Sequence, residues 1–264
     1  MKGITVVLPS LNPDEKLNQV VKGLLAEGFD DIVIVNDGSD AEHMAPFEEA
    51  GQHPEVTVLV HEVNKGKGRA LKTAFAYVKE HRPQSLGVVT VDGDNQHLPK
   101  DIKACSEKMM ETGDVIFGCR DFGLPNVPGK SRFGNRCTSM VLRLLCGIRL
   151  SDTQTGLRAI PAKYLEMMCG IRGERFEYET EMILALKQEK IAFREVVIET
   201  VYIEENKSTH FHPVRDSFKI YRIIFAFVFS SAASCLIDYL IFTVLVFLLE
   251  PVLTRWLKLL AAFL

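Results

Sequence analysis

The sequence predicts an α/β fold, a mostly parallel sheet flanked by helices, followed by one transmembrane helix near the carboxyl end. Three observations predict it. Short apolar runs rich in β-branched residues alternate with helix-like stretches through most of the 264 residues, which is the pattern of a sheet covered by crossover helices. Several of these runs stop abruptly at Asp, Asn or Gly, so polar loops gather at the carboxyl edge of the sheet, where open α/β folds bind ligands. Near the carboxyl end, Ile223 to Leu249 spans 27 residues with one charge, Asp238, and exceeds the roughly 20 residues a helix needs to cross a bilayer.

Taken in order, Ile4 to Leu8 is a buried strand, and Glu15 to Glu27 has the apolar spacing of a helix laid on the sheet. Asp31 to Val35 and Val56 to Val60 are the next strands, and Arg69 to His81 is a helix. Leu86 to Val91 is a strand that ends at Asp92. Leu98-Pro99-Lys100-Asp101 then starts a helix over Lys100 to Thr112, with proline in the first turn where no amide is needed. Asp114 to Gly118 is a fifth strand. Helices follow at Phe133 to Cys146, Ala162 to Cys169 and Tyr178 to Lys190, then a strand at Phe193 to Ile203 and a basic, His-containing loop from Glu204 to Asp216. This order divides the chain into an α/β domain over residues 1–218 and a membrane segment over 219–264.

Composition narrows the function. A formal charge of -3 excludes a general nucleic-acid binder, which would carry a basic face. Six cysteines (Cys105, Cys119, Cys137, Cys146, Cys169 and Cys235) contain no C-x-x-C pair and lie mostly among apolar residues, the usage of reduced, buried thiols. The amino-terminal apolar run is too short for a signal-peptide core, so the α/β domain is expected in the cytoplasm, on a cell membrane. Lys207, Arg215, Lys219 and Arg222 before the span, against Arg255 and Lys258 after it, place that domain on the same side. Asp238 is costly within a bilayer unless it faces protein or water, and so calls for a partner helix, from another copy of the chain or another membrane protein. Trp256 to Leu264 is too short to cross again and either returns along the interface or marks a shortened version of a larger membrane protein.

The chemistry concentrates in a few motifs. Val88 to Pro99, VVTVDGDNQHLP, ends a strand in two carboxylates one residue apart, Asp92 and Asp94, followed by Gln96 and His97. Oxygen ligands so spaced suit Mg²⁺ or Mn²⁺, ions that usually clamp phosphates, although Asp-Gly-Asp is equally the vocabulary of turns. Asp37, in Asn36-Asp37-Gly38-Ser39-Asp40, is either a hydrogen-bond acceptor for a ribose or nucleobase or a turn former. Asn64-Lys65-Gly66-Lys67-Gly68 precedes a helix and is either a phosphate-binding loop or a solvated turn. Arg120, Lys130, Arg132 and Arg136 face a single acid, Asp121, and with Lys207 and His210 suggest an anionic ligand.

On these residues the chain resembles the family 2 glycosyltransferases of the GT-A fold. Within them it is most similar to enzymes that transfer a sugar to a polyprenyl phosphate, such as dolichyl-phosphate mannose synthases. The resemblance covers residues 3–218 and rests on Val7-Leu8-Pro9-Ser10-Leu11-Asn12, Asn36 to Ser39, Asn64 to Gly68, Asp92 to His97 and, above all, Ser151-Asp152-Thr153-Gln154-Thr155-Gly156-Leu157-Arg158. It implies a UDP- or GDP-linked sugar donor and an undecaprenyl or dolichyl phosphate acceptor. Pro9, Asp37 and Lys67 would line the donor pocket. Asp92, Asp94 and Gln96 would hold Mg²⁺ or Mn²⁺, and Arg120 would neutralise phosphate. Arg132 and Asn135 would take the acceptor phosphate, with Asn135 where Ser is commoner. Asp152 would orient the acceptor or a helix terminus, and Lys207 and Ser208 would lie in a loop closing over the donor. Leu11 and Pro13 depart from the Tyr and Glu often found in the nucleotide pocket. Phe227 to Leu245 is similar to the first helix of the GtrA-like membrane domain, here cut short of its usual four spans. Two rival readings are a transferase acting on a polysaccharide or glycolipid, and a silent nucleotide-sugar-binding scaffold in the membrane.

Overall fold

A computed structural model describes residues 1–124, 127, 129–199 and 213–263. Seven strands make one sheet: β1 (Ile4–Ser10), β2 (Ile32–Asn36), β3 (Val56–Val60), β4 (Gly87–Thr90), β5 (Val115–Arg120), β6 (Arg158–Pro161) and β7 (Phe193–Ile198). Their order is β3-β2-β1-β4-β6-β5-β7. Every pairing is parallel except those of β6, which runs antiparallel to both β4 and β5. The carboxyl ends of β1, β2, β4 and β5 therefore share one edge, and β6 starts from that edge.

Helices α1 (Lys16–Ala26), α2 (Ala45–Ala50), α3 (Lys67–His81), α4 (Pro99–Thr112), α5 (Gly129–Cys146), α6 (Leu165–Gly170) and α7 (Glu177–Gln188) flank the sheet. The central strands are apolar on both faces because helices cover both. Ile4, Val6 and Leu8 of β1 and Ile32 and Ile34 of β2 join Leu17, Val20, Val21 and Leu24 of α1 in one buried cluster with Ile102, Cys105 and Met109 of α4. The left-handed Gly113 (φ 69°) ends α4, where a side chain would be strained. All six cysteines are free; Cys105, Cys119 and Cys146 are buried, Cys137 and Cys169 half-buried, and Cys235 exposed.

Four features differ from expectation. β6 begins at the end of the Ser151 to Arg158 motif, in a stretch too short to show alternation. The brief α2 was not anticipated, being one and a half turns long with proline at its start. β5 continues to Arg120, two residues past Gly118, which puts that arginine on a strand end. Finally, residues 256–263 do not turn back, since α8 (Pro213–Phe263) is a single helix of 51 residues. Its stretch Tyr221–Glu250, in which an 18-residue window reaches a mean hydropathy of 2.3, is long and apolar enough to cross a membrane. Phe229, Phe242 and Phe247 on it are exposed. The chain divides into two compact units, Met1–Ile220 and Tyr221–Leu264.

Candidate active site

The edge formed by the ends of β1, β2, β4 and β5 collects most of the sequence-predicted residues. Pro9 lies half-buried one residue before the end of β1, in register with Val35 of β2. One residue beyond β2, Asp37 is 4% exposed, and its carboxylate is fully engaged by the protein. It accepts from His61 Nδ1 at 2.7 Å, from the Lys65 amide at 3.0 Å and from the Gly66 amide at 2.7 Å, while His61 Nε2 bonds Thr73 Oγ1 at 3.0 Å. Asp37 thus shapes the Asn64 to Gly68 loop. Gly38 is required there, because at φ 75° a Cβ would lie 2.3 Å from the carbonyl carbon of Val63.

That loop aims Lys67 at the acidic motif. Lys67 Nζ lies 2.7 Å from Asp92 Oδ1 and 3.1 Å from Glu179 Oε1. Burial opposes charge on Lys67, but Asp92 and Glu179 outweigh it and hold the ammonium protonated, above the ordinary lysine range. Asp92 and Asp94 have opposite electrostatic settings. Burial would raise both, yet Lys67 holds Asp92 below the usual carboxylate range, whereas burial and the neighbouring Asp92 charge push Asp94 up. Asp94 Oδ1 accepts from the Gln96 amide at 3.1 Å, tightening the loop. His97 is buried and pushed down to about 4 by that burial; its Nδ1 faces the Asp92 amide at 3.5 Å.

The Ser151 to Arg158 motif enters the same edge because β6 starts there. Asp152 is fully buried and held by Arg120, with Nε to Oδ2 at 2.7 Å and Nη2 to Oδ1 at 3.1 Å, and it accepts from the Gln154 amide at 3.1 Å. Its carboxylate therefore fixes Arg120. Thr155 Oγ1 donates to the Gly118 carbonyl at 2.6 Å, and Thr90 Oγ1 donates to the Gly156 carbonyl at 2.7 Å, joining the motif to β5 and β4. A Cβ on Gly156 would lie 2.2 Å from Asp92 Oδ2, so this backbone packs directly on the carboxylate. Arg158 is 1% exposed; its Nη1 donates to the Glu179 carbonyl at 2.8 Å and its guanidinium lies over the Phe117 ring at 5.1 Å.

Asn135, on α5, is 3% exposed and serves the same motif: Nδ2 donates to the Ser151 carbonyl at 2.6 Å and Oδ1 accepts from the Thr153 amide at 3.1 Å. Arg132 is exposed, and its Nη2 donates to the Leu124 carbonyl at 2.7 Å, apart from the Asp92 cluster. Lys207 and Ser208 lie outside the described residues. Two contributors were not anticipated. Glu179 is one of three acids in α7, with Glu177 and Glu181, and no local signal singles it out; Gly156 lies inside the motif, where only the fold reveals what it touches.

Comparison with known proteins identifies the family. The family model described as glycosyl transferase family 2 matches residues 5–167. The UDP-N-acetylglucosamine–dolichyl-phosphate N-acetylglucosaminyltransferase of Methanococcus voltae is 30% identical over 224 residues, covering 77% of this chain and 87% of the relative. Glycosyltransferase AglJ of Haloferax volcanii is 26% identical over 218 residues, covering 81% and 68%. Among solved structures, glucosyl-3-phosphoglycerate synthase from Mycobacterium tuberculosis, in complex with Mn²⁺, UDP and glucosyl-3-phosphoglycerate, superposes with a TM-score of 0.62 at 17% identity, covering 86% of this chain and 78% of that one.

Proposed function

The chain belongs to glycosyl transferase family 2, and from that premise we propose that it transfers a sugar from a UDP- or GDP-linked donor to a polyprenyl phosphate at the cytoplasmic face of a cell membrane. The observation that carries the reading is the meeting, at one sheet edge, of the acidic Asp92 to Gln96 loop with the Arg120–Asp152 pair. Acids there suit a metal, and the arginine suits a phosphate.

The residues fit Mg²⁺ or Mn²⁺ as a hard cation. Among the described residues no three His, Cys, Asp or Glu side chains gather as a metal cage. Two carboxylates and the Gln96 amide are instead the partial set expected where substrate phosphates complete the shell. Burial, and after it the Asp92 charge, push Asp94 up, and a divalent cation beside both carboxylates would offset that cost. When bound, such an ion offsets the charge that develops on the departing nucleotide. The protein supplies the rest. Asp152 locks the guanidinium of Arg120 at a strand end, a preorganised positive group that costs no reorganisation as charge develops. Ser10 Oγ is buried without a hydrogen-bond partner among the described residues, so a polar ligand group at this edge would satisfy it. Lys207 and Ser208 belong to the loop we assign to closure over the donor.

On the acceptor side, a phosphate monoester has a second pKa near 6, is largely dianionic at neutral pH and attacks without a strong base. Direct displacement then inverts the anomeric carbon. Helix α5 exposes Phe133, Met140 and Leu144 beside Arg132, Arg136 and Arg143, and has no acid in its sequence. Such a basic, apolar surface suits an anionic lipid interface, with Arg132 placed to meet the acceptor phosphate and Asn135 setting the loop beside it. Tyr221–Glu250 provides a membrane anchor of the right length, and Asp238 on it a site for a partner helix. The dolichyl phosphate acceptor named for the Methanococcus voltae relative supports the same acceptor class.

The test uses full-length protein in detergent with Mn²⁺, undecaprenyl or dolichyl phosphate and a panel of labelled UDP- and GDP-sugars. Label in the lipid extract is the expected result. Label only in polysaccharide or glycolipid would favour those acceptors, and donor binding without turnover would favour a silent scaffold.

A further inference from the structure

Lys67 stands at the mouth of a glycine-rich loop, the position of a donor-phosphate ligand, yet its ammonium points back into the protein. It sits between Asp92 Oδ1 at 2.7 Å and Glu179 Oε1 at 3.1 Å. The three side chains are 18%, 31% and 14% exposed, so the cluster is only partly screened by water. Because the ammonium touches the Asp92 oxygen itself, a divalent cation on that oxygen would meet a like charge at contact range. Oδ1 is thus contested, and Oδ2 is packed against the Gly156 backbone.

The surroundings decide what can move. The backbone around Lys67 is fixed: the Gly66 amide is held by Asp37, and a Cβ on Gly68 would strike that of Tyr178 at 2.5 Å, so the start of α3 is packed tightly on α7. The Glu179 backbone is held as well, since its carbonyl takes the Arg158 guanidinium. With the backbone fixed, movement falls to the side chains: the four-carbon lysine stem can swing, and Glu179 offers a carboxylate already within reach.

We propose that Lys67 is an internal counter-ion of Asp92, which a divalent cation must displace onto Glu179, so that metal and lysine are alternative occupants of one carboxylate. The inference rests on the reading of Asp92 and Asp94 as cation ligands. Its consequence is that a cation gains Asp92 only at the cost of moving the Lys67 ammonium wholly onto Glu179.

The test measures Mn²⁺ affinity by electron paramagnetic resonance on the full-length protein in detergent, without nucleotide. Removing a unit charge at contact range should tighten Mn²⁺ binding at least about tenfold in Lys67→Met. Lys67→Arg, which keeps the charge, should stay within about twofold of the parent. Glu179→Gln should loosen binding, because the displaced lysine loses its resting place, and most of that loosening should vanish in the double variant Lys67→Met/Glu179→Gln. Equal affinity in Lys67→Met and the parent overturns the counter-ion assignment, as does a Glu179→Gln effect of the same size in both backgrounds. If the parent and Asp94→Asn are alike in binding no Mn²⁺, with or without UDP, the metal reading itself falls and the inference with it.

Discussion

Substituting alanine for Gly156 tests the site through a single methyl group. The added Cβ would sit 2.2 Å from Asp92 Oδ2, 2.8 Å from Cγ and 2.9 Å from Oδ1, all on the one carboxylate that Lys67 contacts. Ordinary carbon–oxygen contact requires roughly 3.2 Å or more, so the carboxylate or the loop must yield by about 1 Å. The loop resists, because the Gly156 carbonyl is tied to Thr90 and the next residue's amide to Thr155 Oγ1. Asp92 therefore moves. A misplacement of about 1 Å in a positioned group can cost about 100-fold in rate, equivalent to about 2.7 kcal/mol. Overpacking costs typically about 1–3 kcal/mol of stability, which a folded domain can survive. The assay pairs transfer of labelled sugar to polyprenyl phosphate with thermal unfolding of the same preparation. A folded Gly156→Ala protein with parental turnover would show that Asp92 needs no precise placement, and would refute its role at the reacting phosphates.

Three further outcomes are expected. Asp94→Ala should lower turnover by a factor of about 100 to 1,000 with little change in unfolding temperature, because this carboxylate faces the edge and not the core; excess EDTA should reproduce the loss in the parent. Asp152→Asn should destabilise the α/β unit by about 3 kcal/mol, the low end for breaking a buried pair since Arg120 keeps some contact with water; a thermal or denaturant midpoint reads it directly. Arg132→Ala should raise the apparent KM for the lipid phosphate more than that for the nucleotide-sugar, with Lys restoring it incompletely; a loss confined to the donor would reverse the assignment of the two phosphate sites.

Much of this was legible in the sequence, for physical reasons. Buried strands such as Ile32–Asn36 announce themselves because both faces are apolar, and a strand that ends in Asp must end at an edge. The Asp92 loop, the Lys67 loop and the Ser151 to Arg158 motif were visible as residue types in suggestive order. Their partners were not. Sequence offers Asp37 and Asn135 as ligand groups, and only three-dimensional proximity shows that the fold also uses both to hold backbone. Glu179 meets Lys67 across more than a hundred residues of chain, a contact that no local periodicity encodes. β6 escaped notice because its four residues, Arg158 to Pro161, are too few to show a period, and its direction follows from its neighbours.

That reversed strand governs when the site can exist during synthesis. A chain emerging from the ribosome as far as β5 already holds the strand ends bearing Pro9, Asp37, Asp92 and Arg120, but the arginine has no counter-charge and Thr90 no carbonyl to meet. Both arrive only with residues 152–158, and the Glu179 carboxylate comes later still. Until β6 slots between β4 and β5, those two strands have no direct ladder between them, and each presents an open edge to other chains. The interval between making β5 and making β6 is thus the time of greatest exposure to mispairing, and a substitution that slows the closing of β6 would reduce the yield of protein before it altered any property of the finished enzyme.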